Sequence, residues 1–210
     1  MKQLGLYMLL VGVIFNGWRQ SPSSDALRES HPTDEHTSDK EQIQILMQKV
    51  LKWSDSKYGI ALLPATRDSR DTVYMFDLQK HQQNLEELKR TDMFSKEFIE
   101  NYNQIILTLD GKLRGGESDE WAAGYLPPFS FANDHSPWCN CQDNLDWDKV
   151  EIKIRTLTNT DGELVWGWVN LGQDYHPSWK EFEYRFKVVK ENNRWRIAYL
   201  EGFDLEGATK

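Results

Sequence analysis

The hydrophobic period of this chain changes once, and that change bounds the fold. Before residue 111 apolar side chains recur at helical spacing. Phe98, Ile99, Tyr102, Ile105, Ile106 and Leu109 form an unbroken i, i+3/i+4 ladder behind Ser95, a residue of N-cap type. From Val150 the period is two: Val150, Ile152 and Ile154 alternate with Glu151, Lys153 and Arg155, the pattern of a strand with one dry and one wet face. A chain that is helical first and a meander afterwards lacks the alternating units of a parallel sheet, so it predicts an α+β layer fold.

The front half predicts three helices. Ser38 and Glu41 stand at capping-box spacing ahead of Ile43, Leu46, Met47, Val50 and Leu51, and this helix should end near Lys57, before Gly59 and Pro64. Asp68-Ser69-Arg70-Asp71 reads as a polar turn, and Val73-Tyr74-Met75-Phe76 as a short strand or a helix entry. A second helix covers Leu78 to Arg90 with Leu78, Leu85 and Leu88 inward; His81, among Lys80, Gln82 and Gln83, is expected in solvent. The third helix is the Ser95 ladder, which Gly111 can stop.

In the back half, Asn159-Thr160-Asp161-Gly162 is expected to turn a hairpin with Gly162 at positive φ. Leu164, Trp166 and Trp168 then share one face. Phe182, Tyr184, Phe186 and Val188 make the third strand, Glu191-Asn192-Asn193 reverses the chain, and Trp195, Ile197 and Tyr199 make the fourth. Short turns imply sequential antiparallel pairing, with the three helices on one face of about four strands.

Composition narrows the function classes. A formal charge of -8 argues against a nucleic-acid surface, which needs clustered Lys and Arg. Nine Trp and 12% aromatic residues supply the apolar area that a disordered chain lacks. With a mean hydropathy of -0.68 and no run of eighteen apolar residues, the chain does not read as a polytopic membrane protein. Residues 1–24 have the form of a secretory signal peptide: Lys2, then the mostly apolar stretch Leu4 to Phe15, then a polar exit. That stretch is too short to cross a hydrocarbon core of roughly 30 Å, so no stable transmembrane anchor is expected after processing. Residues 25–39, with His31 and His36, read as a solvated tether, and residues 40–210 as a single domain.

Residues 111–149 have no period, yet they carry Trp121, Tyr125, Leu126, Phe129, Phe131, Trp138 and Trp147. So long an aromatic loop is expected to fold back as a packed flap, the alternative being an exposed binding surface. Within it lies Asp134-His135-Ser136-Pro137-Trp138-Cys139-Asn140-Cys141 with the chain's two cysteines. In an oxidising compartment they pair with each other. The same residues leave open a zinc or copper(I) site of Cys139, Cys141, His135 and a carboxylate from Asp134 or Asp143, and a redox-active dithiol. Asp143, Asp146 and Asp148 lack the calcium-loop frame and read as an acidic turn, while Asp204 and Glu206 cap the chain end.

Helices followed by an antiparallel sheet that ends in Asn193-Arg194-Trp195-Arg196-Ile197-Ala198-Tyr199 resemble the NTF2-like (cystatin-like) cone fold, whose sheet is curved. With Thr91-Asp92-Met93-Phe94-Ser95 leading into the long helix and the exported N-terminus, residues 40–206 resemble small envelope proteins of unknown function in bacteria, of Bacteroidetes type. Some of those are lipoproteins, but no anchor cysteine follows the apolar stretch here. The resemblance implies a pocket between sheet and helices. Some members of the wider fold are isomerases or dehydratases that set an Asp or His base against Tyr or Asp donors. Tyr58, Tyr102, Asp134, His135, His176 and Tyr199 are of those types, but no spacing singles them out, and no nucleophile-elbow, zincin or Walker motif occurs. The expected function is therefore that of a non-enzymatic module in the periplasm or outside the cell, binding an envelope protein or a small ligand. Trp166, Trp168, Trp179, Trp138, Asp134 and His135 are the contact candidates, with no cofactor and no metal. A small pocket enzyme and a toxin-immunity protein are the alternatives.

Overall fold

The computed structural model describes residues 38–142, 146–171 and 177–210. The expected signal peptide, most of the tether with His31 and His36, and residues Asp143 and His176 lie outside the described residues. Helix α1 (Asp39–Ser54) starts where the capping box places it: Ser38 Oγ accepts the Glu41 N–H at 3.3 Å, and the Glu41 carboxylate accepts the Ser38 N–H at 2.9 Å. Asp39, the last residue of the expected tether, is thus already the first residue of the helix. The helix ends before Lys57: Asp55 N–H makes the last bond to the Leu51 carbonyl, and the Ser56 N–H and hydroxyl turn back to the Trp53 carbonyl, three residues earlier, instead of continuing the four-residue ladder.

Strands β1 (Ala65–Arg67) and β2 (Tyr74–Phe76) form a small antiparallel hairpin. Asp68 closes it by accepting the backbone N–H of Thr72 at 2.8 Å and of Val73 at 3.2 Å, which holds its carboxyl down at about 2. Helix α2 (Leu78–Thr91) is capped by Asp77. Helix α3 (Lys96–Gly115) is capped by Ser95 and runs through Gly111. The stop comes at Gly116, whose φ of 71° closes the last turn in the left-handed region. Gly111 is passed because Leu113 beyond it packs on the core and Lys112 donates to the Thr209 carbonyl.

The main sheet is antiparallel throughout, in the order β3 (Val150–Leu157), β4 (Asp161–Trp168), β5 (Tyr184–Glu191), β6 (Arg194–Leu200). Asn192 and Asn193, at φ 50° and 61°, make the two-residue turn between β5 and β6. The β3–β4 turn differs from expectation. Gly162 lies inside β4 without a positive φ, and Thr158 Oγ1 organises the turn by accepting the N–H groups of Thr160 and Asp161 at 3.2 and 3.1 Å. A Cβ at 162 would lie 2.8 Å from Leu157 Cδ1, a side-chain end that can shift, and 3.2 Å from the Thr156 carbonyl, so the glycine eases packing beside the turn rather than shaping it. Phe182 precedes β5 and packs its ring on Trp166, 5.2 Å between centroids.

Both sheet edges are partly covered. Gln44 of α1 mimics a neighbouring strand, its amide donating to the Val150 carbonyl at 2.6 Å and accepting the Ile152 N–H at 2.8 Å. On the other edge Ser95 N–H donates to Ile197 O and Ile197 N–H to Met93 O, each at 2.9 Å. Helices α1 and α3 thereby sit against the same face of the sheet, giving an α+β fold with two short helices, α4 (Pro177–Lys180) and α5 (Leu205–Ala208), in the remaining described chain.

Candidate functional site

A pocket between helices and sheet would have to open among the inward side chains of α3 and the strands. Those side chains fill it. Phe94, Phe98, Trp138 and Phe203 stack in a chain with centroid spacings of 4.6 to 4.9 Å for Phe94–Phe98, Phe98–Phe203 and Trp138–Phe203. Trp166 lies between Tyr184 and Trp168 at 5.3 and 5.4 Å, and Trp168 stacks on Trp147 at 5.3 Å. Trp166, Trp138 and Trp168 are 0, 4 and 6% exposed, and Trp179 is half-buried beside Trp168. Trp166, Trp168 and Trp138 are therefore core side chains in this structure, because alternation along β4 and the folded-back flap turn them inward, while Trp179 of α4 packs on the core's margin. Trp121, Phe129, Phe131 and Trp147 of the flap are buried as well, while Tyr125 and Leu126 at its tip remain exposed.

The buried phenols are already committed. Tyr102 Oη donates to the Leu62 carbonyl at 3.0 Å. Tyr184 Oη donates to the Pro137 carbonyl at 2.6 Å and accepts the Gly202 N–H at 2.9 Å. Burial raises both phenol pKa values, so each stays protonated and acts as a strut. Tyr58 is exposed. Among the described residues no Asp–His or Asp–Tyr side-chain hydrogen bond occurs. His81 departs furthest from expectation: it is 0% exposed, not solvated. The apolar stripe of α2 rotates it toward α3, where Nε2 pairs with Asn103 Oδ1 at 2.9 Å, the ring meets Tyr102 edge-on, and Nδ1 has no partner. Burial pushes its pKa below the ordinary imidazole value, against the smaller opposing effect of Asn103.

Cys139 and Cys141 are bridged, with Cα atoms 5.1 Å apart. A Ser136–Cys141 backbone bridge and Asn140 at φ 50° bend the loop enough to close so short a ring. Oxidised sulfurs leave no thiolate for zinc or copper, and no cluster of three metal-binding side chains occurs among the described residues. Asp134 and His135 are exposed and line, with both cysteines, a depression of about 360 Å³ that also takes in Asp55 and Trp147. Asp134 accepts from Gln142 Nε2 at 2.9 Å. Of the acidic-turn residues, Asp146 caps a single 3-10 turn and Asp148 pairs with Lys52; Asp204 caps α5, and Glu206 pairs with Lys210.

The outer face of the sheet has the opposite character. A trough of about 750 Å³ runs across it over Val165, whose neighbours are charged. Lys153 reaches Glu183 at 3.1 Å, Arg185 reaches Glu201 at 3.2 Å, and Lys187 reaches Glu163 at 2.7 Å; Arg155 also pairs with Glu183. Glu183 is held below the usual carboxylate range, chiefly by Lys153, while burial of half-exposed Tyr199 raises its phenol. The wet positions of β3 and β5 were legible from alternation. The sequential pairing expected from the short turns sets β3 and β5 on either side of β4, so their wet positions meet across it. No family model matches this chain, and neither a curated protein nor a solved structure does.

Proposed function

We propose that this chain is an exported NTF2-like module of the bacterial envelope that binds a protein partner on the outer face of its sheet and carries out no chemistry. The helix-then-meander order and the closing Trp195-x-Ile197 strand support the family reading, and the apolar stretch behind Lys2 supports export. One observation carries the binding reading: charged pairs line an open trough, while the interior is filled with aromatic rings and its phenols are bonded to carbonyls. Exposed ion pairs add little stability, but their pattern steers and selects a partner. The trough has no buried acid or base poised for proton transfer, which disfavours the pocket-enzyme alternative.

The test places a photoreactive residue at Tyr199 in the full chain in its native cells, with Leu107 on the exposed side of α3 as control. Tyr199 should give a discrete adduct that Arg155→Glu with Arg185→Glu abolishes, on a chain recovered outside the cytosol without Met1. Equal adducts from both positions, or a cytosolic chain retaining Met1, would overturn the proposal.

A further inference from the structure

The loop that carries the Cys139–Cys141 bridge is held by other means. The Ser136 carbonyl accepts the N–H groups of Cys139 and Asn140 at 3.2 and 2.8 Å, and the Ser136 N–H donates to the Cys141 carbonyl at 2.9 Å. Neighbouring residues pin the loop to the core. The Trp138 ring lies 4.6 Å from that of Phe203, and the Pro137 carbonyl accepts the Tyr184 hydroxyl at 2.6 Å. A bridge across a single residue closes a very short loop, where the gain in chain entropy is small. Cutting it therefore leaves both sulfurs in place, ready to rejoin.

The bridge also borders solvent. Cys139 and Cys141 are 3 and 6% exposed, and both line the open depression of about 360 Å³ that holds Asp55 and Asp134. Asp55 accepts from the Trp147 indole at 3.3 Å and Asp134 from the Gln142 amide at 2.9 Å. Both donors are neutral, so neither carboxylate has its charge balanced by an ion pair among the described residues. No Lys or Arg among the described residues lines the depression, so it lacks the cation that would turn a freed cysteine into an attacking group. Cys139 Sγ lies 3.8 Å from the carbonyl oxygens of Ser136 and Cys141, acceptors within reach of a thiol S–H once the bridge is open.

We infer that this bridge is a reversible redox modification site, opened by a dithiol of another protein that carries basic side chains beside its thiols. The incoming thiolate attacks one sulfur of the bridge and forms a mixed disulfide, while the other sulfur leaves and takes up a proton. The partner's second thiol, losing its proton, then attacks the partner sulfur of the mixed disulfide, and the remaining cysteine leaves and is protonated. Two electrons have passed: the partner ends as a disulfide and this chain as a dithiol. An oxidised partner runs the steps backwards. The unbalanced carboxylates favour a cationic approach over an anionic one. The chain is modified and turns over no substrate of its own, so the inference stands beside the outer-face proposal without depending on it.

Two small dithiols of opposite charge are the probes, cationic dithiobutylamine and anionic dihydrolipoate, applied to the full chain at low salt without denaturant. Opening is read by alkylation and mass spectrometry, and each rate is divided by that of the same dithiol on hydroxyethyl disulfide. Both cysteines should be labelled at a rate proportional to dithiol concentration, and reclose when oxidant replaces the dithiol. Dithiobutylamine should act at least about threefold faster, a ratio that Asp55→Asn with Asp134→Asn narrows. The asparagines keep acceptors for Trp147 and Gln142, and an unchanged melting curve verifies the fold. Labelling that needs urea, a rate capped at that of unfolding whatever the dithiol concentration, or equal corrected rates for the two dithiols would overturn the inference.

Discussion

The two faces of the same four strands do different work. On β4 and β5, Leu164, Trp166, Tyr184 and Phe186 point inward and are buried, while Glu163, Arg185 and Lys187 point outward into ion pairs. The inner face removes large apolar areas from water, the term that scales with stability. The outer face holds charges in a high-dielectric setting, where each pair contributes little to folding but defines a potential. A strand period of two therefore separates, residue by residue, the side chains that hold the fold from those left free for the proposed partner. Substitutions on one face should register in unfolding and on the other in binding.

The largest effect should come from the inner face. Trp166→Ala removes a fully buried indole, and about 3–5 kcal/mol of unfolding free energy should vanish in urea titrations. Next is Tyr184→Phe, which leaves the Pro137 carbonyl and the Gly202 N–H without their shared hydroxyl; a loss of about 1–3 kcal/mol by the same measurement is expected. The disulfide should matter less. Trp138 and the Tyr184–Pro137 contact anchor its loop independently, so replacing both cysteines by serine should cost no more than about 1.5 kcal/mol, read from melting of the two proteins side by side. A larger loss would show that the ring itself holds the flap.

His81 sharpens the contrast through pH. Its folded pKa lies below the unfolded value, so the neutral imidazole stabilises the fold above about 6.5. As pH falls from there the unfolded chain takes up a proton that the folded chain refuses. Stability should drop by up to about 1.4 kcal/mol per pH unit until the folded pKa is reached. Melting between pH 7 and 5 checks this, and His81→Gln should remove that share of the slope.

Much of the architecture was legible because periodicity reports which side of an element is dry. The α+β class, the Ser38–Glu41 and Ser95 caps and the Asn192–Asn193 turn all follow from local rules that tertiary packing did not override. What was hidden depends on what covers each position. Gly162 looked like a turn glycine, yet it lies inside β4 without a positive φ, beside the Thr156 carbonyl and Leu157. His81 sat among polar neighbours in sequence but faces Asn103 and Tyr102 in space. Trp166 and Trp168 carried the right chemistry for contact, and only the packing of helices and flap against their face decides that they are core.

The central claim is that the fold is held from the inner face and leaves the outer face free. Neutralising Lys153, Arg155, Glu163, Glu183, Arg185 and Lys187 together to glutamine tests it most directly, with urea unfolding as readout. The midpoint should stay near that of the natural chain and move far less than Trp166→Ala alone moves it. A sixfold variant that unfolds as early as Trp166→Ala would contradict the claim, for the charged lattice would then be part of what holds the sheet.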